Sequence, residues 1–161
     1  PIRGIPGTCH MHEITRLNSD KKVIDAEIEK MQSSGWTYIP VGMEWGWKVL
    51  SPYGPYADGA AYEDEEWIKA MLVFTDGANT AYFPNTGGAA DQRTSVICEA
   101  IKQKKIKLYT ITFEVWDQGI KDLMAACATS PSWYFDAANG DALKTAFQAI
   151  ANDLNKLRLA K

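Results

Sequence analysis

From Asp20 to Ser34 the apolar residues Ile24, Ile28 and Met31 recur at helical spacing, with Ser19 or Asp20 placed to cap the start and Gly35 to stop the run. A helix is predicted there. After a turn at Trp36 and Thr37, Pro40 suits a first helical position, and Val41, Trp45 and Val49 align on one face until Ser51-Pro52 ends the second helix. Met71-Leu72-Val73-Phe74 is instead a continuous apolar run closed by Thr75-Asp76-Gly77, the pattern of a strand buried on both faces of a parallel sheet. Val96, Ile97, Ala100 and Ile101 mark the next helix, which ends in the lysines near 105, and Ile106 to Phe113 is a second β-branched and aromatic strand. Ile120, Leu123, Met124 and Cys127 return to helical spacing, Trp133 to Phe135 reads as a short third strand, and Leu143, Phe147, Ile150, Leu154 and Leu157 trace one stripe along a last helix.

Strand and helix therefore alternate from residue 71 onward, with helical segments long enough to be crossovers. That order predicts an α/β, Rossmann-like open sheet, mostly parallel, with helices on both faces. Ligands of such sheets bind beyond the carboxyl ends of the strands, which singles out Asp76 and the loop after it. Residues 53–66 mix Pro, Gly, Tyr and acids without a period and read as a surface loop, with a solvated acidic run from Glu63 to Glu66 that would suit the start of a short helix at Trp67. Residues 1–18 read as an edge strand or tail, because His10, His12, Ile14 and Arg16 alternate with Met11, Glu13, Thr15 and Leu17.

Composition narrows the function. A chain of 161 residues with 46% hydrophobic and 23% charged residues is expected to form one globular domain over 1–161. A net charge of -3, spread along the chain, leaves no footprint for nucleic acid. The unbroken apolar stretches, such as Ala70 to Phe74, are all far short of the roughly 20 residues of a membrane span. Pro1 reads as a cut or processing site.

The candidate chemistry is sparse. At Thr75-Asp76-Gly77-Ala78-Asn79-Thr80 a carboxylate leaves a buried strand among hydroxyl and amide groups, oxygen donors suited to a hard cation, although a plain turn fits the same residues. Cys9, His10 and His12 form a C-H-x-H cluster without a second ligand pair, and alternation along a strand would set Cys9 and His10 on opposite faces. No G-x-S-x-G, G-x-G-x-x-G or Walker A run occurs.

Beside Gly35-Trp36-Thr37-Tyr38-Ile39-Pro40-Val41-Gly42, the Asp76 loop gains weight, because the two segments together resemble the second and third metal loops of von Willebrand factor A (vWA) domains. Residues 42–52 (GMEWGWKVLSP), the T-D-G-A-N-T run, the Cys98 helix, the 108–113 strand and the 127–135 segment resemble the TadG-type branch of Flp (tight-adherence) pilus-assembly proteins, so the resemblance runs from about residue 20 to the end. It implies a vWA-type fold and a divalent cation, Mg or Mn, held in intact members by Thr37, Asp76 and a D-x-S-x-S loop, a metal-ion-dependent adhesion site (MIDAS). No D-x-S-x-S occurs in this chain. The first, central strand is thus expected to be absent, the domain to be a partial vWA-like one, and the cation to be absent or weakly held. Such a gap leaves an open sheet edge, for which the N-terminal stretch or self-association with a second copy is the expected cover.

The resemblance also implies a non-enzymatic protein-interaction module of a bacterial pilus-assembly or adhesion system. It would stand on the periplasmic or extracellular side of the cell envelope and reach the membrane only through an N-terminal anchor outside this chain. In that compartment a Cys98–Cys127 disulfide is expected, against two buried thiols as the alternative, with Cys9 the odd cysteine. Trp45 is expected in the core, and Trp47, Tyr53, Tyr56, Asn79 and Thr80 as partner contacts. The alternatives are a metal-assisted hydrolase at the same sheet edge, for which Glu44 would have to approach Asp76 as a base, and a purely structural envelope domain.

Overall fold

The computed structural model describes residues 13–32, 37–80 and 87–159. Cys9, His10, His12, Gly35 and Trp36 lie outside them, so the C-H-x-H cluster and the first residues of the G-W-T segment have no structural account. By its internal contacts the chain divides into two compact units, residues 1–35 and 36–161, where one domain over 1–161 was expected.

In the first unit, residues 13–18 form no strand. Helix α1 spans Lys21–Glu29, and the Asp20 carboxylate caps it by accepting from the Lys22 N–H at 2.8 Å. Ion pairs Lys21–Asp25 and Lys30–Glu27 run along its surface. It ends five residues before the expected Ser34 and buries no side chain, leaving Ile28 55% and Met31 67% exposed. Without packing, propensity alone does not sustain further turns.

The second unit opens with α2 (Ile39–Leu50), followed by β1 (Ala70–Thr75), α3 (Gly87–Gln103), β2 (Lys107–Phe113), α4 (Gln118–Cys127), β3 (Tyr134–Ala137) and α5 (Gly140–Leu159). The strands lie in the order β1-β2-β3, all parallel, with Ala70 facing Lys107, Thr75 facing Thr112 and Phe113 facing Ala137. Central β2 is buried on both faces from Leu108 to Thr112. Its threonines are satisfied inside the protein, for Thr110 Oγ1 donates to the Met124 carbonyl at 2.8 Å and Thr112 Oγ1 to Asp136 at 3.1 Å.

One face of the sheet packs Met71, Val73 and Leu108 against Ile39 and Met43 of α2, Cys98 and Ile101 of α3, and Ile120 and Met124 of α4. The other packs Tyr109 and Ile111 under Ala146 and Ile150 of α5. Cys98 and Cys127 join α3 to α4 through a disulfide with Cα atoms 5.2 Å apart, buried in the first layer. On the second face β1 is poorly covered, and Phe74 remains 47% exposed against Phe113 and Phe147.

Three details depart from the sequence reading. The face of α2 that meets the sheet carries Met43, Trp47 and Leu50 rather than Val41 and Trp45; Val41 is exposed, and Trp45 stands outside the core against Tyr56 and the Lys48 ammonium. The third strand starts at Tyr134, because Pro131–Trp133 tighten into a 3-10 turn that sets the Trp133 ring 4.7 Å from that of Tyr109. The acidic run forms turns instead of starting a helix, and Trp67 is 65% exposed.

Candidate functional site

Thr75 ends β1 with its side chain buried, and its hydroxyl both donates to the Gly77 carbonyl (2.8 Å) and accepts from the Gly77 N–H (3.3 Å). This local turn lifts Asp76 off the sheet into solvent. A Cβ built on Gly77 would stand 3.7 Å from Thr37 Oγ1, so the Thr37 hydroxyl lies directly against the turn that carries Asp76.

Backbone bonds sew the two segments together. The Thr80 N–H donates to the Thr37 carbonyl at 2.9 Å, and the Thr37 N–H donates to Thr80 Oγ1 at 2.7 Å. One residue earlier, Asn79 Oδ1 accepts from the Ile39 N–H at 2.8 Å. Thr37 and Asp76 consequently share one groove of about 360 Å³, bounded by the start of α2 and by β1 from Met71 to Thr75. Both candidate ligands belong to one rim of the sheet.

Asn79 and Thr80, expected to touch a partner, instead turn inward. Asn79 is 7% exposed and its amide serves Ile39, Asp91 and Thr94, while the Thr80 hydroxyl is held by Thr37. Their polar groups are engaged in joining loops, which sequence proximity to Asp76 did not reveal.

Among the described residues, no three His, Cys, Asp or Glu side chains come together as metal ligands. At the rim one carboxylate and one hydroxyl converge. Their chemistry suits a hard cation, but their number falls well short of the roughly six oxygens such an ion takes. The described residues do not make a complete metal site.

Further along the rim, the loop after β2 exposes Trp116 to 95%, next to Glu114, whose N–H reaches the Ala137 carbonyl at 2.9 Å and whose φ is +52°. The sequence reading missed this residue; its signal is a large aromatic side chain directly past a strand and just before the Asp117 helix cap. Nearby, the hydrogen bond from Lys121 to Asp136 (2.7 Å) raises the lysine's pKa, and burial raises that of the Tyr134 phenol.

The other aromatic candidates sit at the opposite end of β1. α2 starts beside the rim and ends at Leu50, whose carbonyl accepts from the Lys69 ammonium (2.7 Å) immediately before β1 begins. The same ammonium donates to the Ala60 carbonyl at 2.5 Å, and burial lowers its pKa while Asp64 opposes that shift. Trp47 and Tyr53 line a cleft of about 330 Å³ here with Tyr62 and Lys104, and Trp47 Nε1 donates to Tyr62 Oη at 2.9 Å. Tyr56 packs against Trp45. Glu44, the base required of a hydrolase, lines this cleft as well and is paired with Lys48 (3.1 Å) and Arg93 (3.6 Å).

Solved structures share this arrangement of strands and helices. Proximal thread matrix protein 1 (PTMP1) from the mussel byssus, with a zinc-occupied MIDAS motif, superposes with a TM-score of 0.61 at 18% identity, over 84% of this chain and 31% of that one. The pilus adhesin SpaC from Lactobacillus rhamnosus GG, in an open conformation, gives 0.63 at 16% identity, over 82% of this chain and 20% of that one. The fold is von Willebrand factor A-like. At these identities the likeness concerns the fold, and the chain spans less than a third of either neighbour. No family model and no curated protein matches the sequence. Within the vWA-like frame the sheet is partial, and among the described residues β1 pairs on one side only.

Proposed function

We propose that this chain is a non-enzymatic protein-interaction module of a bacterial adhesion or pilus-assembly system, and that it recognises its partner at the rim formed by Thr37 and Asp76. The convergence of those two side chains on one groove carries the reading. A buried disulfide supports an oxidising location, the periplasmic or extracellular side of the envelope. No described helix is long and apolar enough to cross a membrane.

A divalent cation, Mg or Mn, belongs to this reading only with further oxygen ligands, which a D-x-S-x-S segment alongside β1 would bring. One neighbour carries a zinc-occupied MIDAS motif, which supports the cation's place in the fold. Trp47, Tyr53 and Tyr56 make a separate contact surface at the amino end of the sheet. The uncovered side of β1 would receive either an upstream segment or a second copy. The hydrolase alternative loses its base, since Glu44 is engaged by Lys48 and Arg93 away from the groove.

Titrating Mn²⁺ into the chain and into an Asp76→Ala variant, followed by electron paramagnetic resonance, tests the rim. The wild type is expected to bind with a Kd on the order of a millimolar or weaker, and the variant to lose that binding. Equal binding by both would remove Asp76 from the site, and metal-dependent turnover of an ester or phosphoester would overturn the non-enzymatic reading. Sedimentation of the same samples reads whether copies associate.

A further inference from the structure

Helix α2 starts without a cap of its own. Tyr38 stands at the N-cap position and makes no side-chain hydrogen bond there, so the Ile39 N–H finds no acceptor within its own segment. The acceptor comes from 40 residues further on, as Asn79 Oδ1 at 2.8 Å. Asn79 can present that oxygen in one orientation only. Its Nδ2 donates to Asp91 Oδ1 at 2.8 Å and to Thr94 Oγ1 at 3.3 Å, and the Thr94 hydroxyl already donates to the Ala90 carbonyl at 2.9 Å. A carboxylate accepts and does not donate, so Asp91 fixes the amide nitrogen toward α3 and the amide oxygen toward α2.

We infer that Asn79, oriented by Asp91, is a positioning residue of the rim: it supplies the missing cap of α2 and so fixes Thr37 beside Asp76. The site it serves rests on the proposed function above; the latch itself rests on hydrogen bonds among buried and half-buried groups. Thr80 completes it by holding both the N–H and the carbonyl of Thr37. An aspartate at 79 would keep an acceptor for Ile39 but set one carboxylate against another, and the donor and acceptor roles would be restored by exchanging the two residues.

Amide hydrogen exchange of the full chain in metal-free buffer, read residue by residue by NMR, provides the test. Asn79→Asp is expected to speed exchange at Ile39 about tenfold relative to the amides of β2, because repulsion from the Asp91 carboxylate turns the new side chain away and costs that amide the weight of one hydrogen bond. Asp91→Asn alone should change it by less than about threefold, because an asparagine there still offers an acceptor to Asn79. The Asn79→Asp, Asp91→Asn double variant should return Ile39 to within about threefold of the wild type. Thr80→Val should speed exchange at Thr37 and leave Ile39 protected, which keeps the inference testable should Asn79→Asp fold poorly. Unchanged protection of Ile39 in Asn79→Asp, or a double variant no better than that single one, overturns the latch. Mn²⁺ binding that Asp76→Ala leaves unchanged overturns the rim site instead, with the latch judged by exchange alone.

Discussion

Tyr109 carries a phenol into the layer beneath α5, where it is 1% exposed and donates to Asp153 Oδ2 at 2.5 Å. Burial first, then the hydrogen bond and charge of Asp153, hold the phenol protonated well above its usual range. The unfolded chain ionises this group near pH 10, so above that pH it releases a proton that the folded protein keeps, and stability falls as pH rises. The contribution of Tyr109 is complete below about pH 10 and declines through the alkaline range above it. Thermal melts from neutral to strongly alkaline pH should show a steeper loss for the wild type than for Tyr109→Phe; parallel curves would remove Tyr109 from the effect. Such coupling is invisible in the sequence, since Asp153 lies 44 residues away. The same distance blindness explains Asn79. A turn motif shows that an amide follows Asp76, but its partners are Ile39, Asp91 and Thr94, which only the crossover connections bring near. Asp76 stands out for the opposite reason, since a short local pattern fixes its place at a strand end, whereas Thr37 is singled out only through the resemblance to vWA metal loops.

At the scale of elements, the strands and the later helices could be read because their patterns are unambiguous. From Leu108 to Phe113 β2 is an unbroken apolar, aromatic and β-branched run, and α4 keeps a single stripe through Ile120, Met124 and Cys127. α2 is different. Its sequence IPVGMEWGWKVL is apolar around most of the helix, so two stripes compete and periodicity does not choose between them. What chooses is the close approach to β1 at Gly46, where an added Cβ would stand 2.8 Å from the Met71 methyl. Bringing Gly46 to the sheet brings Met43, Trp47 and Leu50 with it and turns Trp45 outward. Replacing Trp47 with Ala is therefore expected to cost about 3 kcal/mol, and replacing Trp45 about 1 kcal/mol or less. Urea unfolding of the two variants measures this, and a larger loss for Trp45→Ala would mean that α2 presents the other face. α1 was overextended in the sequence reading because helical spacing continues to Met31 while burial does not.

At the scale of the molecule, a three-stranded parallel sheet is a small platform. One face is covered by α2, α3 and α4, the other by α5, and β1 has a neighbour on one side only among the described residues. Alternation of strands and helices made the fold class legible, whereas the division of the chain into two units was not, because both contain ordinary amphipathic segments. With so little sheet, a covalent tie across one layer carries a large share of the cohesion. The Cys98–Cys127 disulfide closes a loop of sequence separation 29 that spans the end of α3, all of β2 and all of α4. Constraining a loop of that length in the unfolded chain is worth about 3.6 kcal/mol, which for a chain of this size corresponds to roughly 10 °C in melting temperature. A Cys98→Ala, Cys127→Ala variant should therefore melt about 10 °C below the wild type and show a reduced denaturant midpoint with an unchanged fold at neutral pH. Because both sulfurs are buried, a reducing agent should act on the native protein no faster than the layer between α3 and α4 opens. Equal melting of the variant and the oxidised protein would show that packing of the helices, rather than the bridge, holds this layer together.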